Sequence, residues 1–163
     1  MRKELPHQLL RELLKNSKRS DRELAKILGV SQPTITRARN RLEKNGTIED
    51  YTIIPNFREM GFEIFAITLV KISPQMVTAE NIEEATKYAE KFPQAILSSM
   101  GEGLGMNGVV ISLHKNYTDY QRHVTQMRLD WKGLLQDVQG FLISLGTGEF
   151  KRFSLTHLGD VTF

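Results

Sequence analysis

The chain contains no cysteine. That excludes disulfides, thiolate metal sites and cysteine nucleophiles in one step. It also contains no apolar run approaching the ~18 residues that a membrane-spanning helix needs. The leucines of the opening MRKELPHQLLRELLKN are interrupted by charge every few residues, which argues against the apolar core of a signal peptide. A cytoplasmic location is the default expectation. Histidines are scarce: His7, His114, His123 and His157 never stand at HxH or HExxH spacing, so no metal site is expected of them. They read instead as surface or internally satisfied side chains. No Ser-His-Asp pattern or nucleophile elbow is visible, nor any internal repeat or low-complexity segment. What remains is ordinary for a globular protein: 163 residues, 40% of them apolar, enough for one domain or two small ones.

The formal net charge of +3 is informative only once it is divided along the chain. Residues 1–50 hold twelve Lys and Arg against seven Asp and Glu, whereas residues 51–163 hold ten against twelve. The basic excess lies entirely in the first third. A basic head on a neutral-to-acidic body is the pattern of a polyanion binder, although a solvated basic helix surface would also produce it.

Within that first third, Leu9, Leu10, Leu13 and Leu14 recur at helical spacing and predict a helix ending near Asn16–Ser17. The run SDRELAKILGVS predicts a second helix. Ser20 or Asp21 caps it, Glu23 completes a capping box from Ser20, and Leu24, Ile27 and Leu28 face inward. Gly29 stops it, because glycine enters the left-handed conformation without penalty. Ser31 caps a third helix, with Pro33 in its first turn, where a missing N–H costs nothing. This helix runs to a second glycine stop at Gly46, with Ile35, Ala38 and Leu42 inward.

Its outer face is Gln32, Thr34, Thr36, Arg37, Arg39, Asn40, Arg41 and Lys44, with Glu43 the single acid. A helix built only for solvation would mix acids and bases more evenly. Arginine, asparagine, glutamine and threonine can reach base edges, and lysine and arginine neutralise phosphates. The N-terminal half of such a helix enters the major groove in helix-turn-helix proteins, and Ser31 with the free N–H groups at the helix start could hold a phosphate. Lys18, Arg19 and Arg22 are candidate backbone clamps. Lys44 is explained as well by the helix dipole.

Residues 20–62, SDRELAKILGVSQPTITRARNRLEKNGTIEDYTIIPNFREMGF, resemble the Lrp/AsnC (feast/famine) family of regulators. The resemblance rests on the helix-turn-helix followed by Gly46, Ile48, Tyr51, Pro55 and Gly61 at the family's order and spacing. Family members usually place an arginine and then an aliphatic residue mid-way along the recognition helix; this chain has Ala38 followed by Arg39. The resemblance implies a DNA-binding head joined to a dimerising body that takes a small effector such as an amino acid.

Beyond the head, TIEDYTIIPNF reads as an extended connector or a strand. FEIFAITLVKI (62–72) is apolar on both faces, Phe62, Ile64, Ala66 and Val70 on one and Phe65, Ile67 and Leu69 on the other, so it needs cover on both sides. Helices can supply one cover and a partner subunit the other. Thr78 opens a helix with Ile82, Ala85, Ala89 and Phe92 inward, closed before Pro93. AILSSM (95–100) and VVISLHK (109–115) read as strands around a glycine-rich link. Thr118 and Gln121 would cap a long helix with the stripe Tyr120, Val124, Met127, Trp131, Leu134 and Val138. FLISL and FKRFSLTHL supply one further strand or a short pair.

The order strand–helix–strand–strand–helix–strand is the ferredoxin-like arrangement. The expected fold is therefore α+β: a helix-turn-helix, winged-helix-like domain over 1–50, a linker or strand over 51–61, and a ferredoxin-like βαββαβ domain over 62–163. Residues 103–108 satisfy GxGxxG, but a strand former follows where a dinucleotide site needs a helix, so a hairpin loop is expected. By resemblance to the family, Met100, Gly101, Gly103, Gly105 and Asn107 are the candidate effector contacts. The family's Gly-x-x-Asp step is here Gly105-Met106-Asn107-Gly108, and a plain tight turn is the competing reading.

The function expected is a sequence-specific DNA-binding transcriptional regulator, dimeric or larger, with no enzymatic activity and no cofactor. Two alternatives stand beside it. One is a sirohaem-decarboxylase-like enzyme on the same fold, disfavoured because the C-terminal part is net acidic and its histidines are scattered. The other is an architectural protein that coats duplex DNA.

Overall fold

The computed structural model describes residues 4–73, 78–148 and 151–161. The chain divides into two compact units. One comprises the residues up to Ile54 together with those from Lys151 onward; the other is Pro55–Phe150.

The first unit, the head, contains α1 (Leu5–Lys15), α2 (Asp21–Leu28) and α3 (Gln32–Lys44). Local signals fix both ends of α2 and the stop after α3, whereas Ser31, expected to cap α3, stands at its N-cap without its side chain accepting a backbone N–H. Ser20 accepts the Glu23 N–H while the Glu23 carboxylate accepts the Ser20 N–H at 2.8 Å, closing the expected capping box. Gly29 ends α2 in the left-handed conformation at φ +66°, and Gly46 follows α3 at φ +73°. Leu9, Leu13, Leu24, Ala25, Ile35 and Leu42 form the buried core. Ile27 departs from expectation and is half exposed. With ~100° of rotation per residue, the inward arc of α2 is centred on Leu24, Ala25 and Leu28, and Ile27 lies well off it. Residues 49–56 run without regular secondary structure, so the stretch is a connector.

FLISL and FKRFSLTHL were expected to supply one strand or a short pair; FKRFSLTHL, whose Phe150 lies outside the described residues, forms no strand among the residues described. It leads instead into a short 3-10 helix, Leu155–Asp160, docked on α1. Gly159 is buried against α1, where a Cβ would stand 2.9 Å from the Arg11 carbonyl oxygen. Asp160 pairs with Lys15 Nζ at 3.2 Å. Residues 151–161 thus belong to the head.

The second unit, the body, is a four-stranded antiparallel sheet in the order β2-β3-β1-β4, formed by β1 (Ile64–Ile72), β2 (Ala95–Gly103), β3 (Met106–His114) and β4 (Leu135–Ser144). The two helices α4 (Ala79–Glu90) and α5 (Tyr117–Asp130) complete the βαββαβ order. The GxGxxG run forms the β2–β3 hairpin, with Leu104 and Gly105 both at positive φ, as a two-residue turn between twisted strands requires. Two expectations for α5 are corrected. Asn116, not Thr118, caps it, its side-chain oxygen accepting the Asp119 N–H at 2.9 Å. The helix ends at Asp130; Gly133, at φ +87°, turns the chain, and Val138 lies on β4 rather than on the helix stripe. In α4, Ile82 is half exposed while Tyr88, which lacks an obvious place in the apolar pattern, packs at a tilt against Phe92 and edge-on against Trp131.

Strand alternation sorts the sheet into two faces. Ala66, Thr68, Val70, Ser112 and His114 are buried, and Tyr120 and Val124 of α5 pack on Ala66. The opposite face carries a row in register across all four strands, Leu97, Ile111, Ile67 and Phe141, flanked by Phe65, Leu69 and Ile143. This face is only partly covered: Phe141 is 69% exposed and Leu97 46%.

Candidate nucleic-acid interface

The ~100° turn per residue also divides the polar surface of α3. Arg37, Asn40, Arg41 and Lys44 occupy the arc facing away from the core, and all four side chains are exposed. Together with Asn45 they line an open hollow of about 420 Å³. None of the four makes a side-chain hydrogen bond or ion pair among the described residues. Gln32 at the helix start is likewise exposed and unengaged, as are the side chains of Lys18 and Arg22.

The neighbouring arc is committed inside the head. Asp21 Oδ1 accepts from Arg39 Nε at 2.9 Å and lies 2.8 Å from Nη2, while Asp21 Oδ2 accepts from Thr36 Oγ1 at 2.6 Å. Arg39 also donates to the Arg19 carbonyl at 3.3 Å and to the Tyr51 hydroxyl at 3.4 Å. Tyr51 in turn donates to Glu43 at 2.9 Å. Burial works against the Arg39 charge, but Tyr51 and Asp21 outweigh it and hold its pKa above the ordinary guanidinium value. Burial pushes the Tyr51 phenol up. Arg19 is taken up by an ion pair with Glu12 of α1.

The sequence-predicted contact set therefore falls into three groups. Lys18, Arg22, Gln32, Arg37, Asn40, Arg41 and Lys44 are free; Arg19, Thr36 and Arg39 are engaged within the head. Ser31 and Thr34 pair their hydroxyls at 2.8 Å, and the Thr34 and Ile35 N–H groups bond the Ser31 carbonyl, which leaves little of the expected anion cradle at the helix start. Sequence reasoning names Tyr51 and Glu43 but not their contacts with Arg39 and each other, and it misses the second role of Asp21 beyond the cap region. An acid on α2 and an arginine on α3 carry no local signal that they will meet.

In the body, Met100, Gly101 and Gly103 lie on β2, Gly105 in the turn and Asn107 on β3. The Asn107 amide bonds both the N–H and the carbonyl of Ile72, each at 2.7 Å, and so clasps the end of β1. Beneath the sheet, His114 and His123 sit 5.4 Å apart between ring centres, both nearly inaccessible. His114 Nε2 bonds Ser112 Oγ at 2.8 Å. Burial lowers the pKa of both imidazoles, and Asp119 offsets this in part. Among the described residues, no group of three or more His, Asp or Glu is arranged to hold a metal, and no helix is long and apolar enough to cross a membrane.

A trihelical head with a free, cation-rich outer arc on its third helix defines a helix-turn-helix of the DNA-reading class. Comparison with known proteins agrees: residues 2–49 match the family model described as winged helix-turn-helix DNA-binding. An HTH-type transcriptional regulator of Pyrococcus abyssi is 30% identical over 121 residues, 74% of this chain and 78% of its own length. Another, from Pyrococcus furiosus, is 32% identical over 96 residues, 59% of this chain and 62% of that protein. The regulator LrpA of P. abyssi is 35% identical over 74 residues, 44% of this chain and 52% of LrpA. This chain thus spans under two thirds of some of the relatives it matches. Among solved structures, PH0061 of Pyrococcus horikoshii aligns over 92% of this chain and 95% of its own, with TM-score 0.74 and 26% identity. The regulator NMB0573 of Neisseria meningitidis, solved as an L-Met complex, shares the fold, with TM-score 0.77 and 18% identity over 94% of this chain and 97% of its own. The chain belongs to the Lrp/AsnC family of helix-turn-helix transcriptional regulators.

Proposed function

We propose that this protein is a sequence-specific DNA-binding transcriptional regulator that acts, in the cytoplasm, as a dimer or larger assembly. The observation that carries the reading is the outer arc of α3. Arg37, Asn40, Arg41 and Lys44 are exposed and uncommitted, and the helix's one acid, Glu43, is turned aside to Tyr51. Gln32, Arg37 and Asn40 would face base edges in a major groove. Arg41, Lys44, Lys18 and Arg22 would neutralise phosphates.

Self-association is supported by the open sheet face. An apolar row four strands wide, with Phe141 and Leu97 exposed, gains by burial against a second such face, at about 25 cal/mol per Å². A two-fold assembly presents two α3 helices to a pseudo-palindromic site one or two helical turns apart. Occupying that site would occlude or recruit the transcription machinery. Modulation by an amino acid on the body, through the hairpin residues Met100, Gly101, Gly103, Gly105 and Asn107, is supported by the L-Met complex of the Neisseria regulator. A thermal-shift screen of amino acids against the full chain tests it, and no shift with any of them removes this part of the reading.

Selection of bound sites from random duplex tests the main reading. The expected result is a pseudo-palindromic consensus. Arg37→Ala should weaken binding to that consensus by ~10- to 100-fold, with a smaller loss on unrelated duplex. A uniform loss on all sequences would make Arg37 a phosphate contact, and a pool that never converges would leave only a non-specific, DNA-coating role.

A further inference from the structure

We infer that Asp21 is a positioning residue for sequence reading: it fixes the orientation of α3 through Thr36 and Arg39 and ties it, through Arg39 and Tyr51, to the first residues of the connector. The inference rests on the DNA-binding reading and deepens it. Asp21 is the first residue of α2, where an acid favours the helix dipole, and that role alone would leave its carboxylate in water. Instead both oxygens reach across to α3 and take three contacts of 2.6–2.9 Å from Thr36 and Arg39. The Asp21 and Arg39 side chains are only 20% and 17% exposed, so these bonds are partly shielded from water.

The apolar contacts of Ile35 and Leu42 hold α3 against the core but are non-directional, and they define its rotation about its own axis poorly. Two bonds from one carboxylate to residues three apart on α3 supply the missing direction. The Arg39 bond to the Arg19 carbonyl adds a third anchor, and Arg19 is itself held to α1 by Glu12. At the other end, Tyr51 bridges Arg39 and Glu43, so the connector leaves the head from a fixed point on α3. Arg39, on sequence grounds a DNA contact, is on this inference a strut.

The sign of the effect distinguishes a strut from an ordinary surface acid. A carboxylate beside a polyanion-binding face weakens binding to any duplex, so removing a merely decorative Asp21 raises affinity for all sequences. Removing a strut lowers affinity for the correct sequence only. The full chain and its Asp21→Ala, Arg39→Met and Thr36→Val variants are titrated, across a salt series, with the selected duplex and with an unrelated one. For Asp21→Ala we expect a loss of ~10-fold on the selected duplex, no loss on the unrelated one, and an unchanged salt slope. Arg39→Met should behave alike, and the double variant should be no worse than either single one. Thr36→Val, which keeps the shape and removes one bond, should lose ~3-fold in the same selective way, and it decides the matter if Asp21→Ala unfolds the head.

The inference is overturned if Asp21→Ala raises affinity for both duplexes. It is equally overturned if Arg39→Met lowers the salt slope by ~1, the mark of a lost phosphate contact. If the wild-type chain selects no sequence at all, the DNA-binding reading fails and this inference with it; if the wild type selects and the variants show the wrong sign, this inference fails alone.

Discussion

Among the described residues, the head and the body each leave a surface without a partner, and the two surfaces differ in kind. In the head it is the outer arc of α3, polar and cationic, with Arg37, Asn40, Arg41 and Lys44 free. In the body it is the outer face of the sheet, apolar, with Leu97, Ile111, Ile67 and Phe141 in one row. The first is complementary to a polyanion and the second to another hydrocarbon surface. Neither would do in the other's place. A cationic arc gains nothing from a second cationic arc, and a hydrocarbon face has no purchase on phosphates. The division of the net charge along the chain is the sequence-level trace of this difference.

The comparison can be broken most severely at the sheet. Ile67→Arg places a charge at the centre of the apolar row and should raise the dissociation constant of self-association at least a hundredfold, about 3 kcal/mol. Sedimentation equilibrium reads it directly, and the isolated head chemistry should be untouched. An unchanged assembly state would show that the sheet face is not the contact.

A smaller effect is expected where the chain returns to the head. Gly159→Val puts a side chain where even a Cβ meets the Arg11 carbonyl at 2.9 Å and the Lys15 stem at 2.6 Å. The 3-10 helix should lift from α1 at a cost of about 1–3 kcal/mol in head stability, seen as a lower melting temperature and faster proteolysis near residue 153. The body should melt as before.

The smallest perturbation is pH. His114 and His123 are buried with lowered pKa values, burial being the main cause. The unfolded chain therefore takes up protons first as pH falls below the ordinary histidine value of 6.5. Body stability should be flat above that pH and decline below it, toward the lowered values of the folded state. A head melting curve moving in step with the body's over the same window would show that the effect is not these two imidazoles.

Much of the head is legible in the sequence because its signals are local. Ser20 with Glu23, Gly29 and Gly46 each act within a turn of helix, and their conformations follow from the residue type. The strands of the body are legible for the same reason, since short apolar, β-branched runs bounded by turn residues are a local signal. What is not legible depends on meetings between distant residues. That α3 has an outer arc follows from helix geometry, but that Arg39 and Thr36 are drawn off it depends on where Asp21 lies, eighteen and fifteen positions earlier respectively. The stripe expected to run from Tyr120 to Val138 failed because Gly133 turns the chain, leaving Leu134 in the turn and Val138 on β4. FKRFSLTHL has apolar residues at 150, 153, 155 and 158, a spacing that fits neither a strand nor an α-helix; its 3-10 ending goes with Gly159 fitting against α1, which no local pattern announces.

Whether the head reads sequence can be decided by one titration. The full chain is titrated with a selected duplex and with an unrelated duplex of equal length, each from low to physiological salt. The account predicts that affinity for both falls steeply with salt while the ratio between them grows or holds at ~10³ or more, since counterion release contributes to both and base contacts to one. Two curves that coincide at every salt concentration would contradict it.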